Sequence, residues 1–269
     1  MNQQTLENEL SELPIGGIKF FETTTSTNDK AAEWAGLGAD DFSVVVADEQ
    51  VQGRGRRGRT WFTYPGAALA FSLIMIPSRE EITKSSLTLY TGLGALSVCS
   101  VLRKLYSLPT KIKWPNDVLV RGKKFCGVLV ESHWIGETLS SIVLGIGINI
   151  APESLPANIH LRTPVTCLEV EVDHIIKRTT LLRHLLNEIN TWRTQIYKEE
   201  FIRTWESNLA YLGRDIKIKL AGRGDEPDSG ILEGQLSGLD TNGRLLMRSF
   251  KGEDIIIHKE VFSIEPVLP

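Results

Sequence analysis

Residues 53–59 read Gly-Arg-Gly-Arg-Arg-Gly-Arg, so Arg54, Arg56, Arg57 and Arg59 crowd one glycine-punctuated stretch, with no acidic residue between Glu49 and Arg79. A guanidinium stays charged at any physiological pH and presents a planar fork of donors, and glycine lets backbone N–H groups come close to an oxyanion. The stretch is an anion cradle. Gly53, Gly55 and Gly58 also satisfy the G-x-G-x-x-G pattern, which by itself discriminates little. A dinucleotide-binding turn would open a helix at the third glycine, whereas Arg-Thr-Trp-Phe-Thr-Tyr-Pro-Gly follows, and the further signature motifs of a protein kinase are absent. A solvated arginine-glycine loop is the plain alternative, and Trp61 with its apolar flanks weighs against it.

A second cluster is Lys113-Trp-Pro-Asn-Asp117. Pro115 fixes a turn, Asn116 can both donate to and accept from a ligand, and Asp117 can hold a cation or orient phosphate-linked water; the same residues could equally form an Asx turn. Lys123 and Lys124 follow a turn at Arg121 and Gly122 and lead into Phe-Cys-Gly-Val-Leu-Val-Glu, residues 125–131. Either one of these lysines enters the apolar strand and aims a cation inward, or both are solvated. A third cluster, Leu144 to Asn149, places Gly145 and Gly147 at alternate strand positions. Something must approach the backbone there, or the strand bends.

These clusters need elements to hold them. Residues 1–13 read as a frayed helix or no fixed structure. A strand at 18–22 leads through Thr-Thr-Thr-Ser-Thr-Asn-Asp to a helix that starts near Ser26 or Thr27 and ends by Gly38. Strands follow at 42–47 and 69–76, so the arginine stretch leaves a strand end. A helix over 80–106 contains Gly92 and Gly94, each costing about 1 kcal/mol against alanine, which close packing on the sheet would offset. Strands at 110–113, 118–120, 126–134 and 138–150, joined by tight turns, make the sheet mixed and largely antiparallel, and helices over 180–198 and 200–209 close this half. Beyond Gly213 the sequence alternates in short strands typical of a small barrel, which places a boundary near Leu212.

Composition narrows the function. Thirty Lys and Arg against 33 Asp and Glu give a net charge of −3, so the basic charge is local and suits a small anionic ligand better than a long polyanion. Three cysteines without a Cys-x-x-Cys pair, and five scattered histidines, fit a reducing cytoplasm without structural zinc. The longest apolar run, 67–76, is too short to span a bilayer, and no leader pattern precedes it.

Taken in order, Ser26-Thr27-Asn28, Gln50 with the arginine stretch and Trp61, Lys113 to Asp117, Lys124 with Gly127 and Leu129 to Glu131, and Gly145 to Asn149 together resemble the biotin protein ligases. The likeness covers residues up to about 210, and the tail has the texture of the family's SH3-like C-terminal domain. It implies an α+β fold, with a ligase domain at 1–212 and an SH3-like barrel at 213–269. The implied reaction joins biotin and ATP, with Mg2+, into biotinyl-5'-AMP, then transfers biotin to a lysine of a biotin carboxyl carrier domain. Both reactants of the first step are anions, and two unit charges about 4 Å apart repel by roughly 4 kcal/mol at an effective dielectric near 20, which gives the arginines a physical role.

By the resemblance, Ser26, Thr27, Asn28 and Gln50 bond the biotin ureido ring, with Gly53 and Gly55 of the loop alongside, and Gly127, Leu129, Gly145 and Ile148 line its apolar remainder. Arg54 and Arg56 hold the carboxylate or its acyl-phosphate product, Arg54 also reaching the nucleotide, while Arg57 and Arg59 sit nearer the triphosphate. Lys124 bridges carboxylate and α-phosphate, with Arg56 and Asp117 as its catalytic companions. Trp61 covers the adenine, Asn116 and Asp117 serve phosphate or Mg2+, and Asn149 meets the nucleotide. The helix-turn-helix domain that precedes the first strand in DNA-binding members has no counterpart in this sequence, so no DNA partner and no membrane is expected, and a homodimer remains open. A lipoate ligase, with related chemistry, and a nucleic-acid module stacking bases on Trp61, Phe62 and Tyr64 are the competing readings.

Overall fold

The computed structural model describes residues 1–77, 87–155, 163–220, 230–257 and 261–267. Strand β1 (Ile18–Thr24) crosses through helix α2 (Thr27–Gly36) to β2 (Ser43–Gln50), and these two strands pair in parallel. Every other pairing among the described strands is antiparallel. β3 (Ala68–Met75), β4 (Thr110–Lys113), β5 (Asp117–Val120), β6 (Lys123–Ile135) and β7 (Thr138–Asn149) complete a seven-stranded sheet in the order β1-β2-β3-β7-β6-β5-β4. The mixed, largely antiparallel sheet expected from the turn chemistry is therefore present.

The alternation along β7 sorts the molecule into two faces. Leu144, Ile146 and Ile148 join the main core with helices α3 (Leu87–Tyr106) and α5 (Arg178–Arg193). Val143 lies on the other face with Ala31 of α2, Val45 and Ile74. By register, Gly145, Gly147 and Asn149 continue that second face beyond the end of α2, beside Ser72 and Ala70 of β3 and Leu129 and Gly127 of β6. The smallest residues of the sheet thus lie on the face that α2 does not cover along its length.

The interior glycines of α3 have the packing role their cost implied. A Cβ on Gly94 would lie 3.0–3.3 Å from side chains of Val128, Leu144 and Ile146, against the sheet, and one on Gly92 would lie 2.4 Å from the ring of Trp205 in α6 (Glu199–Ser207). The expected start of α3 at residue 80 falls outside the described residues.

The amino terminus corrects the sequence reading. Helix α1 (Gln3–Leu10) opens with a reciprocal cap between Asn2 and Thr5, and Gln3 accepts from the Phe20 N–H at 2.8 Å and donates to the Ile18 carbonyl at 3.2 Å. Leu6 and Leu10 are fully buried, at about 2 kcal/mol apiece for such side chains. Docking on β1 and α5 stabilises a helix too short to persist alone. The five-residue helix α4 (Leu168–Val172) was also absent from the sequence reading, being shorter than two turns.

A second sheet follows α6: β8 (Asp215–Leu220), β9 (Ile231–Leu239), β10 (Leu245–Ser249), β11 (Asp254–Ile256) and β12 (Val261–Pro266), antiparallel in the order β11-β10-β9-β8-β12. It is fastened to α6. Glu206 accepts from the Leu239 N–H at 2.7 Å, and Gly243 sits so close to Trp205 that a Cβ there would approach the ring to 2.3 Å.

Candidate functional site

The turn between β1 and α2 brings Ser26, Thr27 and Asn28 against the end of β2. Ser26 occupies the N-cap in an extended conformation without capping the helix through its side chain. Gln50 caps it instead. The Gln50 side-chain carbonyl accepts from the Thr27 N–H at 2.8 Å and from the Thr27 hydroxyl at 3.0 Å, while its amide N–H donates to Thr63 at 3.3 Å. Asn28 donates to Glu131 of β6 at 2.6 Å and accepts from the Ser72 hydroxyl at 2.6 Å, and Ser72 also lies 2.7 Å from the Thr27 hydroxyl. Thr27, Asn28, Gln50, Thr63 and Ser72 are buried and bonded to one another, with part-buried Glu131 at their edge, so the pocket they form is rigid. A Cβ on Gly145 would lie 2.1 Å from Asn28 Oδ1, which explains one of the two alternate glycines.

Trp61 explains the other. Its ring lies over β6 and β7, 2.4 Å from where a Cβ of Gly147 would be and 3.2 Å from one on Gly127, and its Nε1 is buried with no hydrogen-bond partner. What approaches the strand backbone is thus a pair of the protein's own side chains, which form the wall and floor of the cleft.

Between Gln50 and Trp61 the arginine stretch folds back on itself. The Gly53 carbonyl accepts from the Trp61 N–H at 2.8 Å, and Gly55 donates to the Arg59 carbonyl at 2.6 Å. A 3-10 turn at Arg56–Gly58 puts Arg57 at φ 59°, the left-handed region that side chains other than glycine enter at a cost, and Gly58 at φ 67°. Arg54 reaches back to α2 and β6, pairing with Asp29 and, at 3.1 Å, with both oxygens of Glu131. Burial alone would lower its pKa, but the hydrogen bond to Asp29 and the charge of Glu131 raise it above the usual arginine value. Arg57 and Arg59 reach the other way, their guanidinium carbons 5.4 and 5.5 Å from the ring centre of Phe262 in β12.

A bulge resolves the two hairpin lysines: Cys126 pairs with Val118 but Lys124 with Leu119, so Phe125 is the extra residue and Lys124 is turned to the face of Gly127. Lys123 is exposed, whereas Lys124 is half-buried with its ammonium 2.6 Å from Asp117 and 5.6 Å from the Trp61 ring centre. Its backbone is pinned on both sides, donating to the Pro164 carbonyl at 2.7 Å and accepting from Thr166 N–H at 2.9 Å. The Trp114–Pro115 bond is cis, and Trp114 donates to the Gly243 carbonyl at 2.9 Å. Asn116 donates its side-chain amide to the Val128 carbonyl at 3.0 Å, tying the turn to β6, and Asn149 donates to the Thr166 carbonyl at 3.2 Å. Lys113 turns into the same space and donates to Thr163 at 3.2 Å; burial pushes its pKa down, against the raising influence of Asp117 and Glu265.

All of this surrounds one cleft of about 400 Å³. Every site residue read from the sequence lines it except two. Ile148 points into the core on the opposite sheet face, because the strand period of two separates it from Gly147 and Asn149. Gly53 lies beneath the loop, where a Cβ would come within 2.3 Å of the Trp61 carbonyl oxygen, so it shapes the loop from outside the cleft. Sequence reasoning did not single out Ser72, Glu131, Asp29 or Phe262 as site residues. Ser72 had a signal, being the lone polar residue in an apolar strand; Phe262, two hundred residues away from the loop, had none. β12 supplies part of the cleft wall, so both sheets build it.

The donor chemistry excludes some mechanisms. Among the described residues no three His, Cys, Asp or Glu side chains converge as a metal cage. Asp117 is one carboxylate already paired with Lys124, a donor set that does not make a resident metal site. Cys126 is fully buried and desolvation raises its pKa well above the usual thiol value, so it offers no thiolate. What remains is a cationic cleft with a buried neutral polar end, suited to positioning anions.

Known proteins are similar in sequence and in fold. Residues 20–149, β1 to the end of β7, match the Biotin/lipoate A/B protein ligase family. The biotin--[acetyl-CoA-carboxylase] ligase of Paracoccus denitrificans is 32% identical over 249 residues, 89% of this chain and 97% of that protein. The bifunctional ligase/repressor BirA of Bacillus subtilis is 29% identical over 87% of this chain and 70% of its own length. The biotin protein ligase from Aquifex aeolicus, solved in complex with biotin and ATP, superposes with a TM-score of 0.76 at 29% identity, covering 93% of this chain and 99% of that one. With a relative 32% identical along nearly its whole length and a solved biotin protein ligase superposing over 93% of the chain, this chain belongs to the biotin/lipoate A/B protein ligase family, among its biotin protein ligases.

Proposed function

We propose that the cleft performs both steps of an ATP-dependent biotin protein ligase: it forms biotinyl-5'-AMP from biotin and ATP, then passes the biotinyl group to a lysine of a biotin carboxyl carrier domain. The observation that carries this reading is the union, in one cavity, of a buried neutral polar pocket, a set of arginines and a half-buried lysine. Ser26, Thr27, Asn28 and Gln50 receive the ureido ring, whose polar edge would cost about 1–3 kcal/mol per group if buried unpaired. Gly127, Leu129 and Gly145 flank its apolar remainder.

In the first step a carboxylate oxygen attacks the α-phosphorus, the new acyl C–O–P linkage forms, and the bond to pyrophosphate breaks. The carboxylate is already a nucleophile and needs no general base. Lys124, poised beside Asp117, lies between the two anions and stabilises the charge that develops as they meet, with Arg56, Arg57 and Arg59 screening the phosphates. Magnesium enters with ATP as part of that substrate. In the second step the unprotonated carrier amine attacks the acyl carbon, AMP leaves, and the amine's surplus proton passes to solvent.

Residues 1–212 act as the ligase unit and 213–269 as an SH3-like unit whose β12 walls the cleft. No helix among the described residues is long and apolar enough to cross a membrane, and Cys99, Cys126 and Cys167 are buried free thiols, which suits a reducing cytoplasm. The test is direct: protein with ATP, magnesium and either biotin or lipoate should release pyrophosphate with biotin alone and then label one lysine of a carrier domain. Release with lipoate instead would replace this reading by the lipoate one.

A further inference from the structure

Glu131 stands where α2 stops covering the sheet. On β6 it shares the face of Leu129 and Gly127 and lies opposite Val143, the last residue beneath α2 before the glycine floor begins. Its Oε2 accepts from Asn28 Nδ2 at 2.6 Å and from Arg54 Nη2 at 3.1 Å, and its Oε1 accepts from the same Arg54 nitrogen at 3.1 Å. The other Arg54 terminal nitrogen pairs with Asp29, the residue after Asn28 on α2.

We propose that Glu131 is a positioning residue that couples the ureido pocket to the arginine loop, one carboxylate setting both the Asn28 amide and the Arg54 guanidinium. This rests on the biotin-ligase reading of the pocket.

The chemistry of the groups makes the coupling specific. An ionised carboxylate only accepts, so it dictates that the Asn28 NH2 faces it and that the Asn28 oxygen faces Ser72. That fixes which edge Asn28 can offer to a ureido group. The same carboxylate, with Asp29, holds the loop's inner side beyond the backbone bonds of Val51 and Gln52 to Thr24 and Thr25: Arg54 stands between Gly53 and Gly55, which have no side chains to hold, while the outer side rests on Phe262 through Arg57 and Arg59. Disturbing the pocket should therefore be felt in the loop, and the reverse.

Glu131→Gln separates the two functions. Its carbonyl oxygen, in the place of Oε2, can still accept from Asn28, but the negative charge is gone and an NH2 replaces Oε1 against the Arg54 guanidinium, donor against donor. Trypsin reports on the loop, because Arg54 to Arg59 offer four cleavage sites. In ligand-free Glu131→Gln, nicking within 54–59 is expected to speed up about fivefold, and KM for biotin to rise about fivefold with kcat within twofold, the scale of a half-exposed ion pair. A purely structural role would lower the melting temperature without moving KM apart from kcat.

Arg54→Met should accelerate nicking at the remaining arginines by a similar factor, and the double variant should be no faster than either single one. Nicking and biotin KM of Glu131→Gln equal to the unaltered protein's, or additive effects in the double variant, overturn the proposal. If Glu131→Gln does not fold, Arg54→Met decides: unchanged nicking there removes the tether. Absence of biotin-dependent pyrophosphate release by the unaltered enzyme would instead overturn the ligase reading, and the nicking measurement would still decide the tether.

Discussion

Two walls of the same cleft are built by opposite means. The pocket proposed for the ureido ring is made of neutral side chains from α2, β2 and β3, nearly all buried: Ser72 is fully inaccessible and Thr27 and Asn28 are each 4% exposed. Its hydrogen bonds run between rigid elements. The arginine loop across from it is made of cations on a glycine-rich turn, and the Arg54 side chain remains 40% exposed even while paired. A buried polar network loses much when one member is removed, since the partner is left unpaired away from water. An exposed ion pair loses little, because water replaces it. Recognition of a neutral ring and capture of a charged, reactive intermediate call for these different constructions. On the proposed function the first is expected to be preformed and the second to open and close.

The largest effect that sharpens this contrast is at Lys124, which belongs to neither wall and which the proposed mechanism places between the two anions. Lys124→Ala is expected to slow biotin-dependent pyrophosphate release by roughly 10²–10³-fold, the scale of losing one charge-stabilising donor, with little change in melting temperature. Near-normal release would remove Lys124 from the chemistry. The second effect separates the walls. Ser72→Ala takes a hydroxyl from between Thr27 and Asn28 and should weaken biotin binding about tenfold and lower stability by about 1–2 kcal/mol, seen in calorimetry and in thermal melting. If binding and melting are both unmoved, the pocket is not a preformed wall. The smallest and most local effect is in the loop: amide exchange over 53–59 should slow when biotin and a non-hydrolysable ATP analogue are added together, while β6 and β7 stay protected throughout. A loop with the same protection in both states would make the two walls alike.

The elements that carry the motifs were readable because each has a local cause. The cap-type run before α2 marked where the helix starts, although Gln50 rather than Ser26 makes the cap; the hairpin at Arg121 and Gly122 follows from its turn residues, and the two faces of β7 from a period of two. Gly145 and Gly147 announced a close approach but not what approached. Asn28 and Trp61 fill those places, brought there by a helix start and a loop that the strand's own sequence does not mention. Helix α1 could be read only as frayed or unfixed for the converse reason: its stability resides in Leu6 and Leu10 meeting the rest of the fold. Ile148 was misplaced because a motif read as a string ignores which face each letter points to.

By itself the sequence determined the chemical inventory: four arginines on glycine hinges, one of two lysines beside an apolar strand, small polar residues at a helix start, and, through their joint order, the family to which they belong. Tertiary structure decided the partners. It chose Lys124 over Lys123, set Asp117 beside it, gave Arg54 to Asp29 and Glu131, and brought Phe262 of the second sheet against the loop. The reason is physical. A side chain's type and its local backbone preference are properties of a few neighbouring residues, whereas which charge meets which is fixed only when sheet register and packing bring distant segments together.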